Sequence, residues 1–413
     1  MTERLYYTDS YLTEFRARVV GVSPDAVSPD QQRVYLDRTA FYPTSGGQPF
    51  DTGQLGELDV IDVIDEGDRI AHVVLTSRDR EGVVPGFSGH LEAAELEGRI
   101  HLARRFDHMQ QHTGQHLLSA VLLEMFGAPT VSFHLGAEFS TIDVAPAVAG
   151  ALQPEQLREA ERRANQVVFE NRPVSISFQH SSQDLGLRKP TEREGEVRIV
   201  SIEGLDRSAC GGTHVRATGE IGPILLRKLD RIRGNLRIEF LCGGRAVARA
   251  RADFEALSQI ARVFSTPLDE APGMVEAQRE KLQDAEKIRQ RLAMELAASS
   301  GRALFNDTAP GPDGVRRLLR RVESLSEDLR AEAQSFTAAG PAIFLAATEN
   351  PPSILLAVAP GGGVHAGNLL KATLAAAGGR GGGAAALAQG SLPSQEALEN
   401  VIQSLARQLN FPV

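Results

Sequence analysis

Two short motifs, widely separated in the chain, constrain its fold most. The first, His112-Thr-Gly-Gln-His116, has two histidines four residues apart, which a helix places on one face about one turn apart. The second, Cys210-Gly-Gly-Thr-His214, contains two glycines that allow a loop to turn sharply and bring a thiolate and an imidazole together. If both motifs serve one metal ion, the fold has to bring them into contact.

Neither motif is specific by itself. Histidines four apart on a helix are more often coincidental or hydrogen-bonded polar groups than metal ligands, and Cys-x-x-x-His is no more specific. The chain has only two cysteines and ten histidines, so the presence of both motifs favours a shared site. Histidine and cysteine ligands of this number suit zinc. His108, one turn before His112, competes for the same role on spacing alone.

The apolar pattern predicts an α+β fold in four parts, because 413 residues are too many for one compact core. Residues 1–88 hold short strand-like runs broken by turn residues and predict a small β-rich domain. Residues 89–245 combine helices with later strand-like runs and predict an α/β domain with a largely antiparallel sheet. Residues 246–339 are charged and helix-favouring, and predict a helical arm. Residues 340–413 predict a small glycine-rich α/β domain with glycines at tight turns, a flexible linker being the alternative.

Two helices are predicted in the second part. The first runs from about Arg104 to a stop at Gly127, and the pair Asp107 and Gln110 resembles a helix-start box. The second runs from about Pro154 to Asn171 and is followed by the dipeptide Arg172-Pro173. The first of these helices carries His112 and His116.

Composition narrows the class of protein. The chain is 42% hydrophobic and 23% charged, and no apolar run reaches the roughly 18 residues of a membrane-spanning helix, which argues against a membrane protein. The N-terminal residues do not resemble a signal peptide, and two cysteines cannot build a disulfide framework. We therefore expect a cytoplasmic protein.

Charge leaves one local candidate for RNA binding. The net charge of −9 argues against a surface that binds phosphate throughout. The segment from Arg227 to Arg251 is nevertheless rich in arginine, and Arg104 and Arg105 precede the first motif. A basic run of this kind is often only a solvated face, and the two interpretations stay open.

Three stretches carry a family resemblance. HTGQHLLSAVL, CGGTHVRATGEIGPILLRKLDRIRGNLRIEFLCGGRA and LDRTAFYPTSGGQPFDTG resemble the editing region of alanyl-tRNA synthetases and the free-standing AlaX editing proteins. The likeness extends over about the first 245 residues, and the glycine-rich end resembles the C-terminal domain of alanyl-tRNA synthetases. Because no adenylate-forming domain precedes the editing region, the resemblance implies a long AlaX protein that edits without charging. Its implied activity is ATP-independent hydrolysis of tRNA(Ala) mischarged with serine or glycine.

The resemblance also implies site residues. The resemblance implies one Zn²⁺ per chain. It also implies that His108 is not a ligand and lies either on the helix surface or next to the ligands. It makes Thr39 the residue that recognises the substrate hydroxyl and places His134 near the substrate, where a catalytic role and a structural one are both open. The implied metal ligands are His112, His116, Cys210 and His214. The implied substrate-binding residues are Ser45, Gly46, Gly47, Gln48 and Phe133.

Several alternatives remain open from the sequence. Four protein ligands resemble a closed structural zinc site, so ligand displacement, expansion to five ligands and a purely orienting zinc are all open. Cys210 could instead be a nucleophile with a histidine base. A non-catalytic tRNA-binding or scaffold protein with a structural zinc is the alternative to an enzyme. Basic residues from Arg227 to Arg245 are candidates for phosphate contacts, and the helical arm and C-terminal domain would permit a homodimer.

Overall fold

The computed structural model describes residues 1–25, 31–75, 93–145 and 152–411. It divides into two compact units, residues 1–259 and 260–413. Both units combine helices with sheets, which confirms the α+β class. The finer division into four domains stays a prediction. None of the helices in the described residues is long and apolar enough to cross a membrane.

The N-terminal unit begins with a closed six-stranded barrel. Its strands are ordered β2-β3-β7-β6-β5-β8, and each neighbouring pair is antiparallel. Polar and apolar residues alternate along β2, so Phe15, Ala17 and Val19 point into the barrel core. The last strand, β8, lies beyond the predicted boundary at residue 88. The strands are β1 (Glu3–Arg4), β2 (Glu14–Pro24), β3 (Gln31–Leu36), β4 (Arg38–Thr39), β5 (Gly53–Leu55), β6 (Leu58–Asp65), β7 (Ile70–Leu75) and β8 (Glu95–Ile100).

Helix α1 (Leu102–Phe126) follows the barrel and carries the first motif. It ends at Gly127 as predicted, where a φ of 60° gives the left-handed conformation that glycine adopts readily. The predicted start box at Asp107 was wrong. Asp107 lies inside the helix, which begins at Leu102, and its carboxylate pairs with Arg245 at 2.6 Å.

A buried ion pair joins α1 to the barrel. The guanidinium of Arg105 lies 2.5 Å from the carboxylate of Asp51, and both side chains are fully buried. Arg105 also donates to the carbonyl oxygens of Ser10 and Ala40. These contacts satisfy a charge that would otherwise be costly to bury. Arg105 is therefore a structural residue and not part of a basic surface.

Two antiparallel sheets complete the N-terminal unit. One has the order β14-β15-β10-β9 and the other β11-β12-β13. Helix α2 (Pro154–Glu170) begins and ends as predicted, with Asn171 at its C-cap. The strands are β9 (Thr130–Leu135), β10 (Ser140–Val144), β11 (Val174–His180), β12 (Glu196–Ile202), β13 (Asp206–Ala209), β14 (Ile224–Ile232) and β15 (Asn235–Cys242).

The C-terminal unit contains a five-stranded sheet with the order β16-β17-β18-β20-β19. Helix α3 (Gly243–Phe264) contains the boundary between the two units, and α4 (Ala271–Asp307) packs along α5 (Glu327–Ala338). The strands are β16 (Arg316–Arg321), β17 (Ala342–Glu349), β18 (Pro352–Val358), β19 (Arg380–Gly383) and β20 (Leu387–Ser391). The remaining helices are α6 (Ala366–Ala376) and α7 (Gln395–Gln408).

Strand β16 corrects the helical-arm prediction for residues 246–339. The sequence RRLLRR favours a helix by composition, but the structure places it as a strand in parallel pairing with β17. Leu318 packs into the core beside α5, while the side chain of Leu319 is exposed. The long-range pairing and this burial outweigh local helix propensity.

The glycine-rich stretch is neither a linker nor only a set of turns. Gly381 and Gly390 lie in the paired strands β19 and β20, against Leu374 of α6. A Cβ atom at Gly390 would lie 2.2 Å from Leu374 Cδ1 and 2.5 Å from the carbonyl oxygen of Arg380. Glycine is required there because helix and hairpin pack so closely.

This packing predicts a specific cost for added volume. Gly390→Ala should lower the free energy of unfolding by about 1–3 kcal/mol, because the methyl group overfills the contact with Leu374. Gly382→Ala is the matched control, since its Cβ would meet no atom within 4 Å, and it should change stability by less than about 0.5 kcal/mol. Urea unfolding of the full chain measures both. Equal effects of the two substitutions would contradict this packing.

Candidate metal centre and adjoining cavity

The structure brings the four predicted ligands together. The ligand atoms of His112, His116, Cys210 and His214 all lie within 4.8 Å of one another. The Cys210 sulfur is 3.5 Å from His112 Nε2 and 3.3 Å from His214 Nε2. Two atoms bound to the same tetrahedral zinc stand roughly 3.5 Å apart, given bond lengths of about 2.0–2.3 Å. The four residues can therefore hold a metal ion.

Glycines in both motifs allow helix α1 to pack closely enough against its neighbours to bring the four ligands together. His112 and His116 lie one turn apart on α1, with ring centroids 5.2 Å apart. The turn after β13 approaches α1 so closely that a Cβ at Gly212 would lie 2.1 Å from His112 Cε1. Gly114, inside the first motif, leaves room for Cys242, whose sulfur would be 2.3 Å from a Cβ there. Cys242 is fully buried, as predicted for a small apolar residue.

Hydrogen bonds define the tautomer of each histidine ligand. His112 Nδ1 lies 2.8 Å from Gln48 Oε1, and His116 Nδ1 lies 3.0 Å from an Asp206 oxygen. His214 Nδ1 lies 3.1 Å from Thr113 Oγ1. Amide and carboxylate oxygens only accept, so the first two Nδ1 atoms must donate.

The same conclusion holds for His214. The hydroxyl of Thr113 gives its proton to the Met109 carbonyl oxygen at 2.8 Å, so its oxygen accepts from His214 Nδ1. With each Nδ1 protonated, every neutral ring turns an unprotonated Nε2 toward the Cys210 sulfur. Four electron-pair donors that face one buried point, in addition to their ordered partners, indicate a cation site.

Electrostatics within the cluster support a thiolate. Burial alone would raise the pKa of Cys210, but the His112 and His214 rings hold it well below its usual range. Burial works to lower the pKa of His116, yet hydrogen bonds to Asp206 and Cys210 raise it to about 9. A proton therefore competes with a metal ion for His116, as expected at a metal-binding site.

Asp206 is a functional residue that the sequence did not identify. One carboxylate oxygen accepts from His116, and the other accepts from Arg188 Nε at 2.6 Å. Its position four residues before Cys210 is a signal that could have found it. Gln48, predicted to bind substrate, instead lies behind His112 and also accepts from the backbone N–H of Thr213.

Asp206 should therefore control metal affinity. Asp206→Asn removes the charge that orients His116, so zinc affinity should fall by about 10–100-fold. Asp143→Asn is the matched control, since Asp143 pairs with Arg237 at 2.6 Å outside the cluster. Competition with a chromophoric chelator measures the two dissociation constants. Unchanged affinity in Asp206→Asn, in a folded protein, would contradict this role.

A cavity of about 490 Å³ opens beside the four ligands, and it includes His112, His116 and Cys210 in its lining. This volume lies in the range of small-molecule sites. Gly47 has a φ of 84°, and a Cβ there would lie 2.6 Å from the ring of Phe133. Four of the five residues predicted to bind substrate lie in the lining, namely Ser45, Gly46, Gly47 and Phe133.

The structure does not bring two predicted residues to this cavity. His134 is exposed and neighbours Phe133 on β9, where alternate side chains point to opposite faces of the sheet. Thr39 is fully buried in the barrel region. Neither residue belongs to the cavity lining.

His108 is buried rather than on the helix surface, and burial lowers its pKa to about 4.

The Thr39 hydroxyl has partners within the protein. His72 Nδ1 lies 3.0 Å from the Val34 carbonyl oxygen and must donate to it, and burial lowers the pKa of His72 to about 4, so the ring is neutral. His72 Nε2 therefore accepts from Thr39 Oγ1 at 2.8 Å, and Thr39 accepts from the backbone N–H of Phe41. A role for Thr39 in recognising substrate stays a prediction.

Loss of this hydroxyl should destabilise the protein. Thr39→Val keeps the shape but leaves the buried groups of His72 and Phe41 without a partner, so the free energy of unfolding should fall by about 1–3 kcal/mol. Thr39→Ser retains the hydroxyl and should lose less. Urea unfolding measures stability, and the ratio of seryl to alanyl deacylation tests recognition in the same variants. Full stability of Thr39→Val would contradict the structural role.

Comparison with known proteins places these features in a family. Residues 197–239 match the threonyl and alanyl tRNA synthetase second additional domain, and residues 330–410 match the DHHA1 domain. The chain is 31% identical over 424 residues to the alanine–tRNA ligase of Pyrococcus abyssi, which covers 98% of this chain and 44% of the ligase. It thus spans less than half the length of that relative. The matches define a protein with synthetase-like editing and C-terminal domains.

Two shorter relatives are named as editing proteins and match this chain over most of their own length. The chain is 31% identical over 323 residues to the alanyl-tRNA editing protein AlaX-L of Pyrococcus horikoshii, with 74% of each chain covered. It is 37% identical over 255 residues to AlaX-M of Methanosarcina acetivorans, which covers 58% of this chain and 98% of that protein. The chain belongs to the AlaX family of alanyl-tRNA editing proteins.

Proposed function

We propose that this chain is a trans-editing hydrolase that deacylates tRNA(Ala) mischarged with serine, and also with glycine, in a zinc-dependent reaction. The observation that carries the proposal is the cluster of three imidazoles and one thiolate beside a cavity that can hold a small ligand, with His112, His116 and Cys210 in the cavity wall. Membership of the AlaX family supplies the substrate class. The cytoplasm, where tRNA is charged, is the proposed location.

An editing activity is needed because an amino-acid-activating pocket cannot reject every small analogue of alanine. A pocket that activates alanine cannot strongly reject an analogue that only adds a hydroxyl, and it cannot exclude the smaller glycine by size. A second site has to remove the wrong product after charging. Hydrolysis at a separate centre meets that need, because selection then depends on a different set of contacts.

The donor set fits zinc, and the cavity supplies further polar groups. Zinc bound by these ligands would act as a Lewis acid beside the ester or would orient the pocket. Among the described residues that line the cavity, the buried Tyr6 hydroxyl and Gln115 Oε1 have no hydrogen-bond partner. Buried polar groups without partners are costly, so these atoms are available to the ammonium, carbonyl or ribose groups of the substrate.

The deciding experiment compares the two cysteines. Wild type should contain one zinc per chain and release serine from seryl-tRNA(Ala) much faster than alanine from alanyl-tRNA(Ala). Cys210→Ala should lose zinc and activity, whereas Cys242→Ala, which alters a buried cysteine outside the cluster, should keep both. Metal analysis and deacylation of radiolabelled aminoacyl-tRNA measure these quantities.

The same assay separates the alternatives. Cys210→Asp keeps a metal ligand but removes the thiol, so partial activity that requires zinc would show that the reaction does not need a thiol nucleophile. A folded, zinc-loaded wild type that does not hydrolyse seryl-tRNA(Ala) would contradict the proposal. Tight tRNA binding in that case would favour a non-catalytic tRNA-binding or scaffold protein with a structural zinc.

A further inference from the structure

The size of the cavity limits what can enter it. A volume of about 490 Å³ matches one small ligand, such as a terminal nucleoside with its amino acid. The proposed substrate carries a polynucleotide on that nucleoside. The phosphates next to it must therefore leave through the cavity mouth, where the charge of the mouth determines how well they bind.

Four lysine and arginine residues line this cavity, and two of them pair with acids. Arg4 pairs with Asp65 at 2.8 Å, and Arg188 pairs with Asp206 at 2.6 Å. Lys189 and Arg193 are exposed members of the lining. Neither forms an ion pair with the part of the chain that the structure describes. Since they are both exposed and in the lining, these two cations lie at the mouth.

The basic segment predicted from the sequence is different, because acids neutralise most of it. Only Arg231, Arg233 and Arg251 of that segment lack an ion pair among the described residues, and Arg251 lies over the ring of Phe254. The pairs are Arg227–Asp253, Lys228–Asp230, Arg237–Asp143, Arg245–Asp107 and Arg249–Asp253.

Contacts fix the position of the loop that carries Lys189 and Arg193 relative to the metal centre. This loop joins β11 to β12, and Leu185 anchors it by packing against Val197 and Ile199. The side chain of Arg188, beside Lys189, binds the same Asp206 carboxylate that binds His116. One carboxylate therefore couples the position of this loop to that of a metal ligand.

We propose that Lys189 and Arg193 form a phosphate-binding lip for the single-stranded 3′ end of the RNA. The proposal rests on the function proposed above, since it assumes that the terminal nucleoside enters the cavity. The half-buried rings of Tyr7 and Phe133 in the same lining are suited to stack the terminal base. Cations at the mouth and aromatic rings inside are the combination that binds single-stranded nucleic acid.

The test is the double variant Lys189→Gln/Arg193→Gln. With seryl-tRNA(Ala), KM should rise on the order of tenfold with kcat unchanged, because the lost contacts concern phosphates. With seryl-adenosine, which has no phosphate, both constants should stay at wild-type values. The slope of log K against log salt for uncharged tRNA should fall by about 1.4, or about 0.7 for each lost contact.

Arg231→Gln/Arg233→Gln is the matched control, because it removes two exposed cations outside the cavity. It should leave KM and the salt slope near wild type. The lip is wrong if the first double variant binds and hydrolyses like wild type, if it loses seryl-adenosine hydrolysis equally, or if the control shows the larger loss.

Binding separates this inference from the proposed function. A wild type that hydrolyses neither substrate overturns the function. If the salt slope for uncharged tRNA then still depends on Lys189 and Arg193, the lip stands without it. Hydrolysis of both substrates with no effect of the double variant retains the function and overturns the lip.

Discussion

Four electron-pair donors that face one point are the constraint on which the functional half of this protein depends. The three histidines are buried and Cys210 is half-buried. Each of the three imidazoles donates its Nδ1 proton to a different partner. The lone pairs of the Nε2 atoms and of the Cys210 sulfur therefore repel one another, and only a cation or an added proton can relieve that repulsion. The partners come from separate parts of the fold: Gln48 follows β4 of the barrel region, Thr113 lies on α1, and Asp206 lies on β13. Barrel, helix and sheet are all required to build the centre.

The same contacts connect the centre to its surroundings. Gln48 belongs to the loop whose glycines form one wall of the cavity, and Asp206 also holds the loop that carries the cavity's free cations. Arg105 and Asp51 fix the barrel against α1 through a fully buried ion pair. The metal ligands, the cavity and its charged mouth therefore share a small set of supports, so a disturbance of one is expected to reach the others.

The local patterns in the sequence predicted the two helices of the N-terminal unit well, because helix spacing and helix-end signals depend on near neighbours. These patterns predicted α1 up to Gly127 and α2, and the two His/Cys motifs favoured one shared metal site. The choice of the four ligands over His108 came from the family resemblance. The local patterns failed where distant contacts decide the outcome. Asp107 resembled a cap but pairs with Arg245, and RRLLRR became a strand beside β17. Acids remote in sequence pair with Arg227, Arg237 and Arg245 of the basic segment. The contact between the Thr39 hydroxyl and the buried His72 is also one that no local pattern reveals, and the recognition role that the resemblance implies for Thr39 stays a prediction.

X-ray absorption at the zinc edge tests the central claim most directly, since it reports the atoms around the metal in the protein itself. The predicted spectrum has one sulfur at about 2.3 Å and three imidazole nitrogens at about 2.0–2.1 Å, with one zinc per chain. Cys210→Ala should remove the sulfur contribution, and Cys242→Ala should leave it intact. A zinc environment without sulfur, or one made mainly of oxygen ligands, would contradict the assignment of these four residues and the function built on them.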